Sequence, residues 1–188
     1  MMKIVSFFSF PIPSGDAVLS EMYREKGISY PKFFKMDILS KSGFLAAEEV
    51  LGAAGLRNEE PKPDMGIVLV NSTSSSADDV AFQRGLKDEE YFPSPALFVY
   101  TLSNIVCGEI AIRNRILGET SFYIDSAPCP ERMIRYVKWT FADEMIKKVL
   151  LGWVEVFEGG RNVTMMLVEK DSAEGEDFTV EYMEKIMK

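Results

Sequence analysis

Gly66-Ile-Val-Leu-Val-Asn-Ser-Thr-Ser-Ser-Ser76 is the stretch that decides the fold. Its first five residues form an unbroken apolar run of strand length, and a strand without polar alternation suits burial on both faces of a sheet. The run ends in a small polar loop, Asn71 to Ser76. Asp78 and Asp79 then open a helix that reaches about Leu86, where negative charge suits the positive end of the helix dipole. A buried strand feeding a helix through a short loop is the unit of a layered α/β fold.

Working toward the N-terminus, Arg57 to Asp64 is a polar loop holding Pro61 and Pro63. Before it, Asp37 can cap a helix that runs to Ala54 and stops at Gly55. Phe44, Ala47, Leu51 and Ala54 lie three or four apart on it and predict one buried stripe. Ser14 to Phe34 has mixed polarity, with Pro11, Pro13 and Pro31 as breakers, and predicts loop with at most one short helix. Lys3 to Phe10 predicts the first strand, being rich in β-branched and aromatic residues, and is not followed by a secretory cleavage site.

Toward the C-terminus, Pro93 and Pro95 break the chain before Pro95 to Leu117, which predicts one mostly buried helix ending at Gly118. Thr120 to Ile124 predicts a strand. Pro130 starts a helix on which Ile134, Val137, Phe141, Met145 and Val149 keep helical spacing, with Gly152 as its stop. Trp153 to Phe157 and Val163 to Glu169 predict a hairpin around Gly159-Gly160. The acidic stretch Asp171 to Asp177 reads as solvated, and Phe178 to Lys188 as a short C-terminal helix. The expected architecture is α/β, a mixed five-stranded sheet packed with helices.

The chain has 188 residues, 47% of them hydrophobic and 27% charged, which fits one ordinary domain over residues 1–188. There are 21 basic and 29 acidic residues, a formal charge of -8, which disfavours nucleic acid and anionic membrane as partners. The longest apolar region, Pro95 to Ile112, is interrupted by Ser103, Asn104 and Glu109, and falls short of the roughly 20 residues a membrane span needs. Two cysteines, Cys107 and Cys129, point to a reducing, cytoplasmic compartment rather than to a disulfide framework.

No histidine occurs in the sequence. A Ser-His-Asp or Cys-His arrangement therefore cannot be built from this chain, and imidazole-bound zinc is excluded. Phosphate-cradling glycine motifs are absent, so no cofactor or metal is expected. The Asn71 to Ser76 loop precedes a helix and reads either as an anion site or as a plain strand-to-helix turn. Cys129, in Ile124-Asp-Ser-Ala-Pro-Cys-Pro130, sits just before a helix and is the candidate nucleophile. The alternative is an inert loop cysteine, and the flanking Pro128 and Pro130 remove N–H donors that an oxyanion site uses. Cys107 reads as a small packing residue. Asn104 and Glu109 are polar groups on a segment expected to be buried, either turned to solvent or paired across an interface.

Four stretches, in order, resemble the N-terminal half of a β-ketoacyl synthase of the thiolase-like superfamily. Met36 to Leu51 with Ala54-Gly-Leu56 resembles its "AL..AGL" helix, and Gly66 to Ser76 the strand and small-residue loop that follow. Pro95 to Arg113 with Leu117-Gly118 resembles its asparagine-containing helix and "GL.GP" turn, and Leu150-Leu-Gly-Trp-Val-Glu-Val156 its "LAGGVEV" strand. The resemblance covers about Met36 to Phe157.

It implies a thiolase-like half-domain and argues against condensing activity. The family's "D-T-A-C" elbow presents a nucleophilic cysteine, and here the aligned run is Asp125-Ser-Ala-Pro128, with Cys129 one position late. Glu119 replaces the usual proline after Gly118, and the family's catalytic histidines come from a C-terminal half not present in this sequence. The resemblance implies a non-catalytic subunit that associates with a full-length synthase or an acyl carrier protein in fatty-acid or polyene biosynthesis. Two alternatives stay open: an acyltransferase-type enzyme with Cys129 as acyl acceptor, and a purely structural homodimer. The family dimerises through the strand matching Phe122-Tyr-Ile124. Phe122, Tyr123 and Ile124, with Tyr100, Asn104 and Glu109 on the preceding helix, are therefore the expected interface of a homodimer or of a heterodimer with a synthase. A lone half would expose an apolar face, which the closing strands, the C-terminal helix or a partner must cover.

Overall fold

The computed structural model describes residues 1–12, 15–57, 60–86, 94–157 and 161–187. In chain order the elements are β1 (Met2–Pro11), α1 (Asp16–Glu25), a 3-10 turn (Pro31–Lys35), α2 (Ile38–Ala53), β2 (Met65–Asn71), α3 (Ser76–Gly85), α4 (Pro95–Tyr100), α5 (Ile105–Asn114), β3 (Thr120–Ile124), α6 (Pro130–Thr140), β4 (Lys148–Glu155), β5 (Asn162–Lys170), β6 (Glu176–Asp177) and α7 (Val180–Ile186). The strands form one mixed sheet in the order β3-β2-β4-β5-β1-β6. β2 runs parallel to both β3 and β4, and the remaining neighbours are antiparallel. The sixth strand is the one the sequence did not suggest. Its two residues pair with Lys3 and Ile4, and a two-residue strand carries no periodicity to read.

β2 is buried along its whole length. Ile67 and Leu69 face the layer of α2 and α5, where they meet Leu150, Val154, Met165 and Leu167 from the neighbouring strands. Val68 and Val70 face the other layer with Val149, Leu151, Trp153 and Met166, under Met133 and Val137 of α6 and Met183 of α7. This alternation is the period-2 pleat acting on a strand with helices on both sides. β1 keeps the same division by a register shift between Ile4 and Ser6. Ile4 faces α7, whereas Phe8, also even-numbered, packs on the α2 side.

Asp37 caps α2 by accepting from the backbone N–H groups of Leu39 and Ser40, and Gly55 ends the helix at φ +69°, as its sequence suggests. The helix departs from the expected single stripe, because it is buried almost all round. α1 and the 3-10 turn lie over its far side, where Leu19, Tyr23, Phe33 and Met36 close on Phe44 and Leu45. Residues 15–34 thus hold the one short helix expected, α1, and in addition most of a 3-10 turn. Apolar residues there are few, but they stack: the Tyr23 and Phe33 rings lie 4.3 Å apart and nearly parallel.

Two further expectations fail. Pro95 to Leu117 is not one buried helix. The chain breaks at Thr101-Leu-Ser-Asn104, where Ser and Asn favour turns and caps over helix interior, and α4 carries no buried residue. The helix from Pro130 ends at Thr140, and Val149 and Gly152 belong to β4. Val149 reaches the same cluster as α6 from a strand, and Met145 is 68% exposed in the turn before it, so their helical spacing is coincidental. Pro13, Pro93 and Gly159-Gly160 lie outside the described residues; the antiparallel β4–β5 pair expected on either side of the two glycines is formed.

Both faces of the sheet are covered within this chain, by α2 and α5 on one side and by α6 and α7 on the other. Phe33→Ala would open a cavity between α1 and α2 at a fully buried position. The expected cost is about 3–5 kcal/mol, read from chemical denaturation of wild type and variant.

Candidate functional site

The turn that follows β3 is held at its first residue. The Asp125 N–H donates to the carbonyl of Asn71, and its carboxylate accepts from the Tyr136 hydroxyl at 3.2 Å and forms an ion pair with Arg132, whose Nε lies 2.9 Å away. Tyr136 in turn stacks face to face on Tyr123, with centroids 3.9 Å apart. Burial, together with the carboxylate beside it, raises the Tyr136 hydroxyl above its usual pKa. Asp125 thus joins the end of the edge strand to α6.

Cys129 stands at the N-cap of α6 with extended backbone, and Pro130 follows at the first helical position. Its thiol is half-exposed and donates to Glu131 at 3.3 Å. Pro128 and Pro130 offer no N–H on either side. Cys107 is buried in α5 and its thiol lies 3.8 Å from the Ser121 carbonyl. Burial pushes it up to about 12, which leaves it a packing group.

The Asn71 to Ser76 loop spends its donors internally. Glu155, at the end of β4, accepts from the N–H and hydroxyl of Ser72, the hydroxyl of Thr73, and the N–H groups of Val156 and Phe157. Asn71 closes on Ser74 in both directions, and Ser75 donates to the carbonyl of Thr101. The protein's own carboxylate occupies the place an anion would take, so the plain-turn reading describes this loop. Among the described residues, no group of three or more His, Cys, Asp or Glu could hold a metal ion.

The six expected interface residues fall into two groups. Glu109 is turned inward on α5, where it pairs with Lys32 at 2.8 Å. Burial and the Glu109 charge push Tyr100 up to about 12. Glu109 thus has an ion-pair partner within this chain. Asn104 is exposed at the N-cap of α5. On β3, Phe122 packs toward the α2–α5 layer and Tyr123 toward α6, while Ile124 is 59% exposed.

β3 is an edge strand. Glu119 O and Asp125 N mark the ends of its ladder with β2, so the backbone groups of Thr120, Phe122 and Ile124 point outward. Apolar side chains are also exposed on α4 (Leu97, Phe98, Val99), at Leu102, and at Ile112 of α5, the helix that packs against β3.

Sequence reasoning missed Glu155 and the Asp125–Tyr136–Arg132 group. A glutamate closing an otherwise apolar strand was the available signal for the first. The second joins a loop to a helix face and leaves no pattern in the chain.

No protein-family model matches the sequence, and no curated protein matches it. Solved structures do. The ishigamide ketosynthase/chain length factor superposes with a TM-score of 0.66 at 17% identity, covering 93% of this chain and 63% of that one. A chain of the ketosynthase ApeO in complex with its chain length factor ApeC from Xenorhabdus doucetiae gives 0.60 at 12% identity, over 98% of this chain and 89% of that one. The AntDE:AntF complex, a type II polyketide ketosynthase with its acyl carrier protein, gives 0.61 at 12% identity, over 90% and 62%. The chain therefore has the thiolase-like ketosynthase fold, and it spans less than two thirds of the length of the first and third of these chains.

Burial alone would raise the Glu155 carboxyl, but the hydroxyl and N–H donors outweigh it and hold its pKa below the usual 4.5. A depressed carboxylate contributes stability that is present above that value and lost as pH falls through the folded-state pKa. Glu155→Gln is expected to be less stable than wild type at pH 7 by about 2 kcal/mol or more, with the difference shrinking in acid. Urea melts of both proteins at pH 7 and pH 3.5 check it.

Proposed function

We propose that this chain is a non-catalytic ketosynthase-like subunit that pairs with a full-length β-ketoacyl synthase, in the manner of a chain length factor, and serves fatty-acid or polyene biosynthesis. The observation that carries the reading is a ketosynthase scaffold whose nucleophile position holds a proline. Pro128 stands where the family's elbow carries its cysteine, and these 188 residues contain no histidine to act as a base. Two of the similar solved structures are described as ketosynthases with chain length factors, and another as a ketosynthase bound to its carrier protein. These descriptions support a synthase as partner and a carrier protein as a visitor to the assembled pair.

The pairing surface is the free edge of β3 with the apolar side chains beside it. A second strand laid along that edge satisfies the outward groups of Thr120, Phe122 and Ile124. Ile124, Phe98 and Leu102 then lose the water they now face.

Ile124→Lys and Phe98→Lys alter side chains that are already 59% and 54% exposed, so the isolated chain should melt within about 0.5 kcal/mol of wild type. Both should lose co-purification with a co-expressed full-length synthase. Retained co-purification by the double variant overturns the proposed surface, and failure of the wild type to bind any synthase or carrier protein overturns the partner.

Cys129→Ser separates this reading from acyl transfer through Cys129. The assembled synthase should keep its turnover with the variant, and no acyl adduct of Cys129 should appear by intact mass after incubation with acyl-thioester. An adduct, or a loss of turnover, favours the acyl-acceptor alternative.

A further inference from the structure

The sheet has a second open edge, at the far side from β3. β1 is the last long strand there, and β6 covers it only at Lys3 and Ile4. Among the described residues, no strand lies along β1 from Val5 to Pro11. Ile12 donates to the Arg161 carbonyl, one step beyond the Pro11–Asn162 pair. In an antiparallel ladder this turns the backbone groups of Ile12, Phe10, Phe8 and Ser6 toward β5. The N–H and C=O groups of Phe7 and Ser9 therefore point away from the sheet. Pro11, which has no N–H to leave unpaired, takes the next outward position.

The register shift at Val5 and the proline at position 11 bound this open run but leave its middle unguarded. Ile4 to Ile12 carries no charged residue, whereas edges that stay single are blunted by lysine or another charge. Phe7-Phe8-Ser9-Phe10 is instead rich in residues that favour strands. The Phe7 side chain is 45% exposed and meets the Tyr182 ring of α7 edge-on, and Ser9, next on the same face, is exposed as well.

We propose that a second copy of this chain pairs antiparallel along β1, with the twofold axis at Phe8. The edge is complementary to itself in that register. Phe8 is the midpoint of the run from Val5 to Pro11, so each strand fills the other's opening and meets β6 on neither side. Phe7 falls opposite Ser9 of the second copy, and the two exchange a pair of hydrogen bonds, N–H to C=O in each direction. The twofold repeats the exchange, so every outward group of Phe7 and Ser9 is satisfied. The exposed Phe7 ring then lies over a small residue and loses water without a clash. The neighbouring registers fail. An axis at Phe7 runs Phe10 and Pro11 into β6 of the second copy, and an axis at Ser9 sets Phe7 opposite Pro11, which has no N–H to give. β1 and β3 are opposite edges of one sheet, so this contact leaves the surface proposed for a synthase open and does not rest on that reading.

Light scattering over a dilution series should show the wild-type chain passing from dimer to monomer. Phe7→Lys places a charge on the edge. Ser9→Pro removes an outward N–H and keeps the ladder to β5. Each should raise the dissociation constant by about tenfold or more, with the circular dichroism of wild type. Ser9→Ala, which loses only the hydroxyl contact with Thr164, and Ile124→Lys, on the other edge, should dimerise as wild type does. Cross-linking reads the register. Residues in a non-hydrogen-bonded pair have Cα atoms about 4.5 Å apart, within disulfide range. In a Cys129→Ser background, Phe8→Cys should oxidise to a covalent dimer, and Phe10→Cys, which faces Ser6 of the second copy, should not. A wild type that is monomeric at every concentration, a dimer that survives Phe7→Lys and Ser9→Pro, or a dimer that Phe8→Cys does not link each overturn the proposal, whether or not a synthase binds. A chain that dimerises through β1 yet captures no synthase overturns the partner reading alone.

Discussion

A strand with no residue at the surface sets the terms for the whole molecule. β2 is buried on both faces, and its edges are taken by β3 and β4. Such a strand can carry no charge, and every polar group at its ends must find a partner inside the protein. Helices are therefore required on both sides of the sheet, and the loop leaving β2 is tied down by Glu155 from the neighbouring strand. That one carboxylate satisfies Ser72, Thr73 and two backbone groups beyond itself, and so fixes where α3 begins.

From this centre outward, the means of attachment change. α2, β4 and β5 are held by apolar burial, and α1 with its 3-10 turn adds a stacked aromatic cover to α2. Elsewhere polar contacts take over: the Asp125 carboxylate binds the turn after β3 to α6, and the Ser75 hydroxyl joins the start of α3 to the end of α4. Elements held by a few hydrogen bonds open at lower cost than elements held by a core. α3 and α4, which carry no buried residue, are thus among the less tightly fixed elements.

The turn carrying Cys129 is fixed at both ends. The strand before it and the helix after it are joined by Asp125, which is engaged by Tyr136 and Arg132. Pro128 supplies neither a nucleophile nor an N–H, and Cys129 is drawn into the N-cap of α6 beside Glu131.

Much of the fold was legible in local patterns. The apolar run Gly66 to Val70, the Asp37 cap with its Gly55 stop, the β3 segment and the acidic opening of α3 each follow from a few adjacent residues, because burial period, capping and helix dipoles act over one or two turns. The sequence alone also determined that no imidazole is available, since composition needs no coordinates. Only the tertiary structure decided where the helices from Pro95 and Pro130 end, because apolar spacing reports burial and not which element provides it. It alone decided the polar partners as well. Glu155 meets Ser72 from 83 residues away, Asp125 of a turn meets Tyr136 of a helix, and Glu109 pairs with Lys32. Hydrogen bonds between distant residues leave no periodicity in the chain, so they become visible only when packing brings the two groups within reach.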